Sequence, residues 1–233
     1  MGQVCVMLCV AAQLLLVSDC SQTDDGSARA AGACSCTNKS LCQPLNTPHP
    51  SRETFVAMVH DRTIPHLNYS IPSTLFIGEP ATLPISDVIC AAHAAGVRVV
   101  TAVGVNGGLL GSFSAADTAS ATARKAWAHR VVHGNGSDPS VVGAGLDGIL
   151  VDIEHFEGNS TNLTMLISEL ATELKAWHAL SQLSFALSVF PQSQAKFYDH
   201  RAISRLVDYI LVMAYGTCPT TSGDFSKFNR KFK

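Results

Sequence analysis

Two carboxylates, Asp152 and Glu154, close the run Leu146-Asp147-Gly148-Ile149-Leu150-Val151-Asp152-Ile153-Glu154. A pair of acids within reach of one bond is equipment for proton transfer: one donates, the other steadies developing positive charge. The run before them is apolar and rich in β-branched residues, so it reads as a strand. Side chains on a strand alternate faces, which puts Leu150, Asp152 and Glu154 on one face and Ile149, Val151 and Ile153 on the other. Acids inside and aliphatics outside suit a barrel strand jacketed by helices, with its C-terminal end aimed at a substrate. The plainer reading is a strand end running into solvent. Acids at the C-terminal end of a parallel strand more often serve a site. Two neighbouring carboxylates also hold one proton more readily than none, which favours a protonated Glu154 at acidic pH. Tyr215, after Val212-Met213-Ala214, ends a second strand candidate, where its phenol is placed to donate to a bound carbonyl.

The elements that must position these residues alternate along the chain. Strand candidates fall at 54–59, 73–77, 97–103, 147–153, 183–189 and 208–214. Helical periodicity occupies 85–95, an Ala-rich stretch at 115–133, 163–180 and 195–206. Strand–helix alternation argues for a parallel sheet. Six such units fit either an open doubly wound sheet or part of an eight-stranded barrel.

The 233 residues are 47% hydrophobic and 15% charged, with net charge −2. A sizeable core is available, and no basic stripe offers a nucleic acid a surface. Residues 4–17 form an apolar block too short to span a bilayer comfortably; with residues 1–20 it reads as a secretory leader, although no Lys or Arg precedes it. A buried N-terminal helix is the alternative. Residues 21–53 form a Cys-rich N-terminal segment whose first part, 21–33, is small and polar like a linker. Beyond the leader, Cys34, Cys36, Cys42 and Cys90 suit two disulfides, with three pairings open and Cys218 left over. A zinc reading of this cluster lacks the paired Cys-x2-Cys spacing. Five glycosylation sequons, at Asn38, Asn68, Asn135, Asn159 and Asn162, accord with a secretory route.

Other signals carry less. Gly104-Val-Asn-Gly-Gly-Leu-Leu-Gly111 matches neither nucleotide-binding fingerprint and reads as a loop at the rim of a site. His129 and His133 have metal-like i, i+4 spacing, but Arg130 stands where a zinc protease has Glu, so two surface histidines are the default. Trp127 and Trp177 lie on helices and read as packing residues rather than sugar platforms.

Asp147-Gly148-x-Leu150-x-Asp152-x-Glu154 resembles the Asp-Gly-x-Asp-x-Asp-x-Glu signature of glycoside hydrolase family 18, the chitinase-like (β/α)8 barrels. Cys34-x-Cys36-x5-Cys42-Gln-Pro, Cys90-Ala-Ala-His-x3-Gly96-Val-Arg-Val-Val and Met213-Ala-Tyr215 extend the likeness over roughly 34–215. It implies a barrel at 54–215 and cleavage of β-1,4 linkages between N-acetylglucosamine units, in the chitobiose core of Asn-linked glycans or in chitin oligosaccharides. It also implies substrate-assisted catalysis, an exception to the two-carboxylate scheme. Glu154 would protonate the glycosidic oxygen while the sugar's 2-acetamido oxygen attacks the anomeric carbon. Asp152 would orient that acetamide, and Tyr215 and Met213 would contact the substrate. Asp147 and Gly148 would belong to the structural part of the motif. No cofactor, no metal and a monomer are expected; no segment after the leader is long and apolar enough to span a bilayer; the leader implies the secretory pathway with an extracellular destination open, and the resemblance implies the lysosome.

The chain departs from the signature at Leu150, where a polar residue is expected, and at Gly216, where Asp is expected. Eighteen residues follow Tyr215, and 216–233 has no periodicity. A further βαβ unit needs roughly 30 residues. The expected fold is therefore an α/β (β/α)8 TIM-type barrel that is incomplete, with about six of eight strands and a divergent tail. The expected outer edges, on the first and sixth strands, are unpaired and favour aggregation. Two rival readings stand beside the glycosidase: a non-catalytic binder of N-acetylglucosamine sugars, kept open by Leu150 and Gly216, and an inactive truncated isoform.

Overall fold

The computed structural model describes residues 3–6, 36–49, 55–57, 73–77, 85–104, 110, 113–134, 140–153, 158–188 and 198–213. Its strands are β1 (Gln3–Val6), β2 (Phe55–Ala57), β3 (Thr74–Ile77), β4 (Arg98–Gly104), β5 (Gly148–Asp152), β6 (Gln182–Ser188) and β7 (Tyr209–Met213). The helices are α1 (Ile85–Ala94), α2 (Ala115–Thr118), α3 (Ala121–His133), α4 (Val141–Ala144), α5 (Ser160–Trp177) and α6 (His200–Ile203), with a 3-10 turn at Lys39–Cys42.

All strand pairs are parallel, in the order β1-β7-β6-β5-β4-β3-β2. From β2 to β7 every strand lies beside its predecessor in the chain. A doubly wound sheet reverses strand order at a switch point; this sheet has no reversal, which is barrel winding. Burial agrees. Leu75, Ile77, Val99, Val103, Ile149, Val151, Leu183, Phe185 and Leu187 share one large core with the helices, while Leu150, Ala186, Leu211 and Phe76 form a second small cluster. Alternation along each strand thus separates a helix-covered outer face from an inner one. The expected incomplete (β/α)8 barrel is what is found.

Three elements differ from expectation, and the first is the helix expected over 195–206, of which only His200–Ile203 is helical among the described residues, Asp199 capping its start by accepting from Ala202 N–H at 2.9 Å. The helix expected over 115–133 is broken. Asp117 accepts from the Ser114 backbone N–H at 2.7 Å in a capping box that opens α2, and Ser120 then caps α3 by accepting from Ala123 N–H at 3.1 Å. Ser side chains compete for helical backbone donors, so each begins a new helix rather than continuing the old one. The edge of the sixth expected strand, here β7, is not open. Gln3–Val6 pairs along it in parallel, from Gln3 beside Tyr209 to Val6 beside Val212. An unpaired edge presents a row of backbone donors and acceptors, and a nearby β-type segment of the chain satisfies it. The remainder of the expected leader, 7–20, lies outside the described residues, as does 214–233.

The Cys-rich segment is held at the opposite pole from the strand C-termini. Cys36 is bonded to Cys90 of α1, which selects one link among those the sequence left open, and Cys42 is also in a disulfide. Cys34 and Cys218 lie outside the described residues. Leu45 N–H donates to Asp147 at 2.7 Å, the buried Arg98 donates to Thr47 O, and His178 contacts Asn46 Oδ1 at 2.8 Å. Residues 41–47 are thereby fastened across the strand N-termini, the face of such barrels that serves stability.

Candidate active site

Strand β5 carries acids at both ends, and they have different surroundings. At its start Asp147 is completely buried. One carboxylate oxygen accepts from Leu45 N–H at 2.7 Å; the other accepts from Val99 N–H at 2.6 Å and faces His93 Nε2 at 2.8 Å. The other ring nitrogen of His93 lies 2.7 Å from Leu41 O. Both nitrogens face acceptors, a setting that favours the doubly protonated, positively charged ring. Burial opposes that charge, but the hydrogen bond and negative charge of Asp147, with the Leu41 carbonyl, outweigh it and raise the His93 pKa above the ordinary histidine value. Asp147 thus binds the Cys-rich segment, α1 and β4 into one cluster and is fully engaged in structure.

Gly148 follows because nothing larger fits. A Cβ there would lie 1.9 Å from Gln182 O on β6. Asp147 O accepts from Gln182 N–H at 2.8 Å, so β5 and β6 are joined directly beside the carboxylate cluster.

At the other end Asp152 is half-buried and ends β5. It sits in register with Gly104 of β4 and Ala186 of β6. These small neighbours leave room around a carboxylate on the inner face. One layer below, Leu150 is 1% exposed and packs with Ala186, Leu211 and Phe76. The position where the signature has a polar residue is filled by apolar contact. Ile153, facing outward in the large core, is pinned through its backbone: buried Tyr198 donates to Ile153 O at 2.7 Å. Tyr198 packs edge-on against Phe185 of β6, with centroids 6.0 Å apart. It fixes the backbone one residue before Glu154. Nothing in the sequence marked it, because it lies 45 residues away with no periodic relation to β5.

Glu154, Tyr215 and Gly216 lie outside the described residues, as does 105–109 of the glycine-rich loop. Met213 ends β7 in register with Ser188 of β6. Of the sequons, Asn38 and Asn159 are exposed and Asn162 half-buried, while Asn68 and Asn135 are outside the described residues. Asn159 caps α5 by accepting from Thr161 N–H at 2.7 Å. Trp127 is 1% exposed in the large core, with Phe113 edge-on at 5.9 Å, and Trp177 packs against the same core. Among the described residues no helix is long and apolar enough to cross a membrane.

No protein-family model matches the chain. It is similar to mouse (Mus musculus) di-N-acetylchitobiase, 28% identical over a 192-residue match that covers 79% of this chain and 47% of that protein. Its fold is similar to the chitinase domain of the spore coat protein CotE from Clostridium difficile, with TM-score 0.56 and 16% identity, covering 76% of this chain and 54% of that one. A glycoside hydrolase family 18 N-acetylglucosaminidase from Paenibacillus barengoltzii gives TM-score 0.52 at 15% identity, covering 70% and 54%. The chain spans about half the length of the proteins it matches.

Proposed function

From a chain that is chitobiase-like in sequence and shares the barrel fold of family 18, we propose a glycoside hydrolase acting on β-1,4-linked N-acetylglucosamine, with the chitobiose core of Asn-linked glycans or chitin oligosaccharides as substrate. What supports this most directly is the placement of Asp152: half-buried, at the C-terminal end of β5, on the face turned away from the helices, between small residues. Strand alternation continued by two residues gives Glu154 the same face. In this reading Glu154 protonates the glycosidic oxygen as the C1–O bond breaks. The 2-acetamido oxygen of the same sugar bonds to C1, giving an oxazolinium ion and a neutral leaving alcohol. Asp152 orients the acetamide and stabilises charge on its nitrogen, Tyr215 donates to the acetamide oxygen, and Met213 lines the sugar. Glu154, now a carboxylate, takes a proton from the water that opens the ring and is ready again. Replacement of Glu154 by Gln keeps the shape and removes the proton. Cleavage of a fluorogenic chitobioside should fall by about a hundredfold to ten-thousandfold with unchanged circular dichroism. A variant working at parental rate overturns the assignment.

The apolar seat of Leu150 favours a second reading, a non-hydrolytic binder of the same sugars, because an aliphatic side chain packed among Ala186, Leu211 and Phe76 fills the position where the signature has a polar one. Calorimetry with di-N-acetylchitobiose would then record binding while chromatography detects no monosaccharide. Product formation excludes this reading.

We further propose that the protein is a glycosylated monomer travelling the secretory route to the lysosome or cell exterior, with 1–20 as its leader. Gln3–Val6 cannot serve both as a removed leader and as the strand beside β7. N-terminal sequencing of secreted protein decides: a start after residue 20 supports the leader, and a start at Met1 overturns it.

A further inference from the structure

We infer that His129, His133 and Glu173 form a binding site for a divalent transition-metal ion of the zinc class, on the helical jacket rather than among the strand ends. The two histidines lie one turn apart on α3, which packs against α5, and α5 supplies the carboxylate. His129 Nδ1 and His133 Nε2 are each 3.0 Å from the same oxygen, Glu173 Oε1. One donor atom from each of the three residues lies within 4.8 Å of the others. A tetrahedral ion with ligands at about 2.0–2.2 Å holds its donors about 3.3 Å apart. The His–Glu separations are therefore within a few tenths of an ångström of what such an ion imposes. The imidazole rings are tilted by 33° with centroids 4.7 Å apart, and each presents a nitrogen to the same carboxylate oxygen.

The chemistry of the set selects the ion. Two imidazoles and one carboxylate suit zinc or copper and disfavour magnesium and calcium, which take oxygen ligands. Three protein ligands leave a fourth position for water or an external donor, the pattern of exchangeable sites rather than closed structural ones. Access is open: the side chains of His129, His133 and Glu173 are 65%, 32% and 33% exposed. A cleft of about 670 Å³ between the two helices is bordered by His129, Glu173, Glu169 and Lys125. Glu169 adds favourable negative charge, and Lys125 opposes it. Without an ion, two ring nitrogens share one carboxylate oxygen; an ion takes the place of a proton between them and joins α3 to α5 through three coordinate bonds. The site stands independently of the glycosidase reading.

Calorimetric titration of the full 233-residue chain with Zn2+ tests it. One equivalent should bind at neutral pH and weaken as pH falls, since protons compete for the ring nitrogens. Affinity should drop by about tenfold or more in His129→Gln, His133→Gln and Glu173→Gln, given that loss of mere outer supports already costs that much. Cys218→Ser should leave it unchanged, and Mg2+ should not compete. Zn2+ should also raise the melting temperature of the parent but not of His129→Gln, whose exposed side chain the fold does not need. Absence of zinc binding by the parent overturns the inference, as does undiminished affinity in a His129→Gln/His133→Gln variant that melts like the parent.

Discussion

Asp147 and Asp152 are the same residue type five positions apart on one strand, and they do opposite things. Asp147 is spent on structure: three close contacts saturate it at the N-terminal pole. Removing one partner of a buried pair leaves the other charge stranded, so Asp147→Ala should cost about 3–5 kcal/mol by denaturant titration. Asp152→Ala, at the half-buried strand end, should change stability far less than it changes activity. Gly148→Ala is expected to be as damaging as loss of Asp147, because the new methyl meets backbone at 1.9 Å rather than a movable side chain. The spacing of these residues was legible in the sequence, and so was the alternation that seats Leu150 inward. The partners of Asp147 were not, since Leu45 and His93 lie 102 and 54 residues away in the chain.

At the scale of elements, the His93 pair joins α1 to β5, and the Cys36–Cys90 disulfide joins the same helix to the Cys-rich segment. The raised pKa of His93 fixes the sign of a pH effect. Its stabilisation is fully present below the unfolded histidine value of about 6.5 and is lost as pH rises through the higher folded value. The difference in unfolding free energy between the parent and His93→Gln should therefore be largest in acid and shrink toward alkaline pH. The comparison with the variant is needed because burial lowers the pKa of His49, His178 and His200, and each of those contributes with the opposite sign as pH falls below 6.5. Cys36→Ser should lower stability by about 2–4 kcal/mol, since the bridge closes a loop of 54 residues. Six elements, β3, β4, β5, β6, β7 and α1, could be read from sequence pattern to within a residue at each end; the interruption between α2 and α3 could not, because it depends on which backbone groups the Ser114–Asp117 pair and Ser120 engage.

At the scale of the whole molecule, six strands among the described residues follow chain order as part of a barrel, and Gln3–Val6 occupies the outer edge of β7. In a chain that keeps its N-terminus, deleting residues 1–6 should leave the β7 edge bare and raise light scattering on concentration. Unchanged scattering by the shortened chain would show that the edge is guarded in some other way. The inner face of this sheet is lined at its lower layers by Thr74, Gln182 and Ser184, which bond to one another, then by the apolar cluster around Leu150, and finally by Asp152. Polar, apolar and acidic layers thus succeed one another toward the strand C-termini.

Sequence alone determined the alternation of strand and helix, the face on which Asp152 lies and the cysteines available for bridging. All three follow from local period and residue type, which a chain carries whatever its fold. Tertiary structure alone decided that the sheet winds as a barrel, that Cys36 bonds to Cys90, that Tyr198 anchors the end of β5, and that Glu173 meets two histidines 40 and 44 residues before it. Those are contacts between segments brought together by burial of a shared core, and burial depends on what the whole chain packs against rather than on any window of it.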